Sequence, residues 1–222
     1  MISIILTAVR TGDFDIFLVI SFILSALTVI FLGSPFHEFA HATIANKLGD
    51  PTPKYSGRLT LNPFAHIDYR GALLILLFGF GWAKPVEVDM RYFKKPKRDM
   101  ALTALAGPIS NIILGFVFYI FLKLLLLTNS VGFLFYVTYF CMYVVEINIS
   151  LAIFNLIPIP PLDGSRILSA FLSDRAYYTL MRYERYFFYA IVFLLFTDVL
   201  DYPIYFLESA IYSLFDLLTF WF

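Results

Sequence analysis

The sequence predicts an all-α, polytopic membrane bundle of about five transmembrane helices, with a three-helix core and a short irregular, partly β cytoplasmic segment. Three observations predict it. Hydrophobic residues make up 60% of the 222-residue chain and charged ones 14%, against about 25% charged in soluble domains, so a water-soluble fold could not hide the apolar surface. Uncharged runs reach the ~20 residues that cross a hydrocarbon core of about 30 Å. Aromatic residues make up 19%, with 26 Phe and 15 Tyr, as lipid-facing and interfacial packing requires.

The first span is expected at residues 16–36, which carry no charge. That span lacks the basic start and small-residue cleavage site of a secretory signal, and the nine apolar residues before Arg10 are too few to cross and are expected at the interface. Residues 46–99 change character, punctuated by Pro51, Pro53, Gly57, Pro63, Pro85 and Pro96 and rich in charge. They read as a cytoplasmic loop region with short strands near 58–61 and 86–90. Within it, residues 71–82 are apolar but too short to span, which fits a re-entrant segment. The second and third spans are expected at 100–127 and 131–157, joined by the turn Thr128-Asn129-Ser130. Pro158, Pro160 and Pro161 then break the helix. Two weaker spans follow at 186–200 and 203–222, interrupted by Asp198, Glu208 and Asp216. The whole of 1–222 reads as one membrane domain.

Of the sixteen Lys and Arg residues, ten lie in residues 47–98 and four in 166–185. The positive-inside bias therefore puts both basic loops in the cytoplasm, and with them the ends of spans one and three. The cluster Lys94-Lys95-Pro96-Lys97-Arg98 is explained by the same anchoring, with headgroup binding as its alternative. Sixteen acidic residues balance the basic ones, which leaves no basic field for nucleic acid. The lone Cys141 excludes an intrachain disulfide framework and a cysteine-rich metal cluster.

At the end of the first span stands His37-Glu38-Phe39-Ala40-His41, an H-E-x-x-H pattern. Its imidazoles project from one helix face about 6 Å apart along the axis, a spacing that suits one zinc ion. Zinc with an open coordination position lowers the pKa of water toward about 7, and Glu38 would be the general base. The alternative is a solvated, purely structural helix end. Ionisable groups at the margin of an apolar span are costly, which favours the functional reading.

The third ligand is either His66 or a carboxylate, since the chain has three His. Asp163 is the carboxylate at the matching membrane level, in a stretch that the prolines open and Gly164 lets turn tightly. Its alternative is to cap the helix that follows, a role common for Asp, and spacing alone does not decide.

These motifs resemble the site-2 proteases, polytopic zinc metalloproteases that cleave transmembrane segments of other proteins. The resemblance covers residues 30–173 and rests on His37-Glu38-x-x-His41, Gly107-Pro108-x-x-Asn111 and Asn155-x-x-Pro158-x-Pro160-x-Leu162-Asp163-Gly164. It implies a three-helix core, one zinc held by His37, His41 and Asp163, catalysis by Glu38, and a transmembrane protein as substrate. Asn155 matches the family's motif asparagine, and Asn148 falls where relatives often carry another. An amide near the zinc could donate to a developing oxyanion, so Asn155 and, in the second-span motif, Asn111 are weaker site candidates; the alternative is a hydrogen bond between helices. The loop motifs Asn62-Pro63-Phe64-Ala65-His66-Ile67-Asp68 and Gly79-Phe80-Gly81-Trp82-Ala83-Lys84-Pro85-Val86 resemble a compact subgroup without PDZ or nucleotide-sensing CBS domains. His66 with Asp68 could form a secondary metal or gating site, against the plainer reading of a hydrogen-bonded loop histidine. Glu146 is an intramembrane acid by position.

The expected activity is zinc-dependent hydrolysis within the bilayer, toward its cytoplasmic side. Backbone in lipid is hydrogen-bonded within its own helix, so a substrate helix must unwind locally, near Gly, Pro or Asn. The alternative is a non-hydrolytic metal transporter or scaffold, though no internal repeat of the transporter kind is visible. A prenylated-peptide-processing protease would instead take a downstream Glu as third ligand.

Overall fold

The computed structural model describes residues 15–78, 81–128, 130–194, 197 and 199–221. The apolar residues 1–9 and Asn129 of the expected turn lie outside these. Three helices are long and apolar enough to cross a membrane: α1 (Ile16–Leu48), α3 (Pro96–Leu126) and α4 (Phe133–Leu156). Among the shorter helices are α2 (Tyr69–Phe78), α5 (Asp163–Leu168), α6 (Asp174–Arg182), α7 (Glu184–Leu194) and α8 (Asp201–Leu218), besides single turns at Thr52–Tyr55 and Pro63–His66.

Helix α1 begins where Asp15 accepts a hydrogen bond from the Phe17 amide at 2.8 Å, which satisfies one of the free donors of the first turn. The uncharged run expected to span, 16–36, is the first part of a helix that runs on to Leu48. Within it Val29–Gly33 is a π turn in which the Ser34 amide donates to the Val29 carbonyl, five residues back. Pro35, which has no N–H to give, follows directly where the ladder is already shifted, so it does not break the helix. His37, Glu38 and His41 therefore sit inside the last turns of a continuous helix, where backbone bonds fix their direction.

Helix α4 packs against both other spans. One cluster joins Phe22, Ala26, Val29 and Ile30 of α1 to Ile147 and Leu151 of α4 and Ile75 of α2. A second joins Tyr119 and Leu122 of α3 to Cys141, Val145, Ile149 and Ile153 of α4 and Phe215 of α8. Between apolar helices in lipid, such contacts act through close packing and hydrogen bonds rather than water release. Two polar links fasten α8: Ser150 donates to Glu208 at 2.6 Å, and Tyr119 donates to Asp216 at 2.7 Å. Asp216 also pairs with Lys123 at 2.5 Å.

No strand occurs among the described residues, which corrects the two strands expected near 58–61 and 86–90. Near Arg58 the chain makes local bonds instead: the Thr60 amide donates to the Arg58 carbonyl, and the Arg58 guanidinium to the Ala65 carbonyl. The second stretch is extended, but its donors are taken by carboxylates. Val86 N–H donates to Glu38 Oε2 at 3.0 Å and Asp89 N–H to Asp50 Oδ2 at 2.8 Å. Side chains thus satisfy groups that a neighbouring strand would otherwise pair. The expected re-entrant stretch contains a regular helix, α2, whose Ile75 is buried against α1 and α4. Its ten residues extend about 15 Å, half the apolar thickness of a bilayer.

Candidate metal centre

Four residues apart on α1, His37 and His41 turn their rings to one side, with centroids 4.6 Å apart at 85°. Their Nε2 atoms stand 3.0 Å apart. The Asp163 Oδ2 atom closes the triangle, 3.1 Å from His37 and 3.2 Å from His41. Both histidines are buried and Asp163 is nearly so. Three lone-pair atoms at this spacing can all reach one cation at about 2.0–2.2 Å, the usual zinc distance to His nitrogen and carboxylate oxygen. The donor set therefore fits a zinc ion.

Neighbouring backbone prepares each ligand. His41 Nδ1 lies 2.7 Å from the Thr103 carbonyl; an Nδ1–H donating there leaves the Nε2 lone pair free to coordinate. Asp163 is the first residue of α5, and the cap position belongs to Leu162, whose side chain makes no capping bond. The aspartate carboxylate is thus not spent on the helix end. Burial alone would push it up, but the two imidazoles hold Asp163 well below the usual carboxylate range. Gly164 lets this turn close: a Cβ there would lie 2.3 Å from the Leu156 carbonyl oxygen and 2.4 Å from that of Ile157.

Helix α3 supplies the open face of the triangle. A Cβ on Gly107 would fall 2.4 Å from His41 Nε2 and 2.5 Å from His37 Nε2, closer than atoms can approach without displacement. The missing side chain leaves room beside the ligating atoms, where a cation and a further ligand need to fit.

A cavity of about 290 Å³ opens on this centre, and its lining includes all six residues singled out in the sequence: His37, Glu38, His41, Asn111, Asn155 and Asp163. Glu38 is buried and accepts the Val86 amide, without joining the ligand triangle. Asn155 donates to the Leu151 carbonyl at 2.9 Å within α4. Asn111 is 2% exposed, and its Oδ1 atom has no hydrogen-bond partner among the described residues. The remaining walls are largely apolar, among them Ile75, Leu151, Phe154 and Ile191. Trp82 and Phe188 meet edge to face across the cavity, with centroids 5.9 Å apart.

Other polar residues lie apart. His66 is fully buried with Nε2 at 2.8 Å from the Thr60 carbonyl, while Asp68 accepts the Arg70 and Gly71 amides at the start of α2. Neither lines the cavity. Asn148 donates to the Val144 carbonyl. The Thr103 carbonyl, the Val86 amide and the void at Gly107 were not visible in the sequence as site features, because two are backbone atoms and the third is an absent one.

Residues 126–197 match the family model described as Peptidase family M50, a stretch that contains Asn155 and Asp163. Three curated relatives are named "Putative zinc metalloprotease". The one from Bacillus subtilis is 46% identical over 139 residues, 60% of this chain and 62% of the relative. The one from Methanocaldococcus jannaschii is 33% identical over 155 residues, 68% of this chain and 72% of the relative. The one from Mycolicibacterium smegmatis is 28% identical over 172 residues, 74% of this chain and 64% of the relative. The chain thus spans about 62% of the length of the Bacillus relative. No solved structure gives a significant match.

Proposed function

The chain belongs to peptidase family M50, and from that premise we propose that it is a zinc-dependent intramembrane endopeptidase, cleaving transmembrane segments of other membrane proteins. The observation that carries this reading is the triangle of His37, His41 and Asp163 at 3.0–3.2 Å, opening with Glu38 on one largely apolar cavity. In this reading His37, His41 and Asp163 hold the metal, and residues 1–222 form a single domain. The active site faces the cytoplasmic side, the segments 186–200 and 203–222 make a fourth and a fifth crossing, and 46–99 is the cytoplasmic loop region.

When bound, zinc supplies a Lewis acid that polarises the scissile carbonyl and lowers the pKa of water. Glu38 takes the proton from the attacking water and delivers it to the leaving amine. The Val86 N–H holds one Glu38 oxygen at 3.0 Å, which fixes the carboxylate in place at the cavity wall. The apolar walls exclude bulk water, so each polar contact inside acts in a low dielectric. A substrate helix must give up internal hydrogen bonds to present an extended chain to Glu38, which directs cleavage to segments weakened by Gly, Pro or Asn.

Asn155 gives this reading a finer edge. Its amide turns from the Leu151 carbonyl toward the developing oxyanion. Asn155→Ala is then expected to lower kcat about 10²-fold, as loss of one oxyanion donor does, with zinc content and KM nearly unchanged. Unaltered kcat would leave the residue a helix-internal role.

The reading as a whole is tested by incubating purified full-length protein in detergent with single-span proteins, with and without a chelator, and mapping new termini by mass spectrometry. Chelator-sensitive cuts within the transmembrane segment near its cytoplasmic end are expected. Cuts confined to an ectodomain, or none, contradict it.

A further inference from the structure

One residue on the cavity wall has a charge that the metal chemistry above does not use. Arg166 is the single Lys or Arg among the residues lining the cavity. It lies three residues after Asp163 on α5, so the two share a helix face about 4.5 Å apart along the axis. Guanidinium stays charged at any physiological pH, and removing such a charge from water is costly unless it is paired.

The described arginines show the contrast. Arg58 is buried and Arg166 partly buried, while the others are exposed. Arg58 donates to the Ala65 carbonyl, whereas the Arg166 guanidinium makes no hydrogen bond or ion pair among the described residues; its backbone carbonyl accepts from Ser169. Tyr177 of α6 is close enough to feel its charge, but a phenol is not an anion. A half-buried fork of five donors thus borders the cavity with no acceptor bound to it among the described residues, next to the expected point of cleavage.

We propose that Arg166 forms an anion subsite of the cleft, taking a peptide carboxylate of the substrate within about three residues of the scissile bond, at ~3.3 Å per extended residue. The proposal rests on the protease reading for its substrate, but its test does not need cleavage. A guanidinium receives a carboxylate through two parallel hydrogen bonds, a geometry that a Lys or a neutral amide cannot offer. It also repels Lys and Arg, which crowd the cytoplasmic flanks of most membrane spans. The subsite therefore selects by rejection as well as by attraction, admitting the minority of segments with an acidic group at that place.

Two carboxylates carry this chemistry, an Asp or Glu side chain and a free chain end. The test is binding of fluorescent peptides to full-length Glu38→Gln protein in detergent, read by anisotropy. The parent peptide is a membrane span with a central Asn-Pro, amidated at its carboxyl end. Asp or Lys is then scanned over the three positions on either side, and a further set ends in a free carboxylate at each of those positions. We expect one Asp position to bind roughly tenfold or more tighter than the parent, the effect of a charged hydrogen bond. Arg166→Gln brings that ratio close to one, Arg166→Lys keeps part of it, and Arg166→Glu shifts preference to the Lys peptide. Preference for the free-carboxylate set alone assigns the chain end as ligand. Equal binding of all peptides to protein with Arg166 intact overturns the subsite without any variant, as does a preference that survives Arg166→Gln. Failure of the protease reading appears elsewhere, as no cleavage by protein with Glu38 present.

Discussion

Glu38→Gln is expected to retain zinc and lose hydrolysis by about 10²–10⁴-fold, the usual worth of a positioned general base. The substitution keeps the shape of the side chain and an oxygen to accept the Val86 amide, so the extended stretch over the cleft stays anchored. What it removes is the ability to take and return a proton. Because Glu38 stands outside the group of His37, His41 and Asp163, metal content should match that of the wild type. The combination separates hydrolysis from metal handling: a carrier or scaffold would keep its main activity with the amide in place. Retained cleavage at near wild-type rate would remove Glu38 from the mechanism.

Gly107→Ala is expected to act on the metal itself. The added methyl would stand 2.4 Å from His41 Nε2 and 2.5 Å from His37 Nε2, so α3 must back away from α1 or both rings must rotate. Either response breaks the triangle. Metal affinity should fall at least as far as it does on losing an outer-shell partner, about 10–100-fold, and cleavage should fall with it. Gly115→Ala is the matched control on the same helix, because a Cβ there would meet the Ile149 side chain at an ordinary 3.6 Å. That variant should bind zinc as the wild type does. If Gly107→Ala also kept full zinc and activity, the void beside the imidazoles would have no role.

The long helices were legible because lipid leaves the backbone few choices: an uncharged run of span length must bond within itself. Errors arose where side chains replaced backbone partners. The Val86 and Asp89 amides go to Glu38 and Asp50, carboxylates tens of residues earlier, and no periodicity in 86–90 announces that. The uncharged run of the first span gave no sign of the π turn that lets the helix continue through Pro35. At the site, His37 and His41 were legible from helical spacing alone. Asp163 needed both the opened backbone after α4 and the family resemblance, since an aspartate in that sequence could equally cap a helix. The Thr103 carbonyl that orients His41 has no residue signature, because any side chain at position 103 would offer the same oxygen. Arg166 was passed over for a related reason: its interest lies in lacking a partner, which only the folded chain reveals.

The measurement that bears most directly on the account is the metal content of folded, full-length protein purified without chelator, compared with Asp163→Ala. One zinc per chain is expected in the wild type and a substoichiometric amount in the variant, because two imidazoles on one helix make a far weaker site than the closed triangle. Chelation should empty the wild-type site, and added zinc should refill it. Wild-type protein that is folded yet carries no stoichiometric transition metal, or an Asp163→Ala protein that holds zinc as tightly as the wild type, would contradict the assignment.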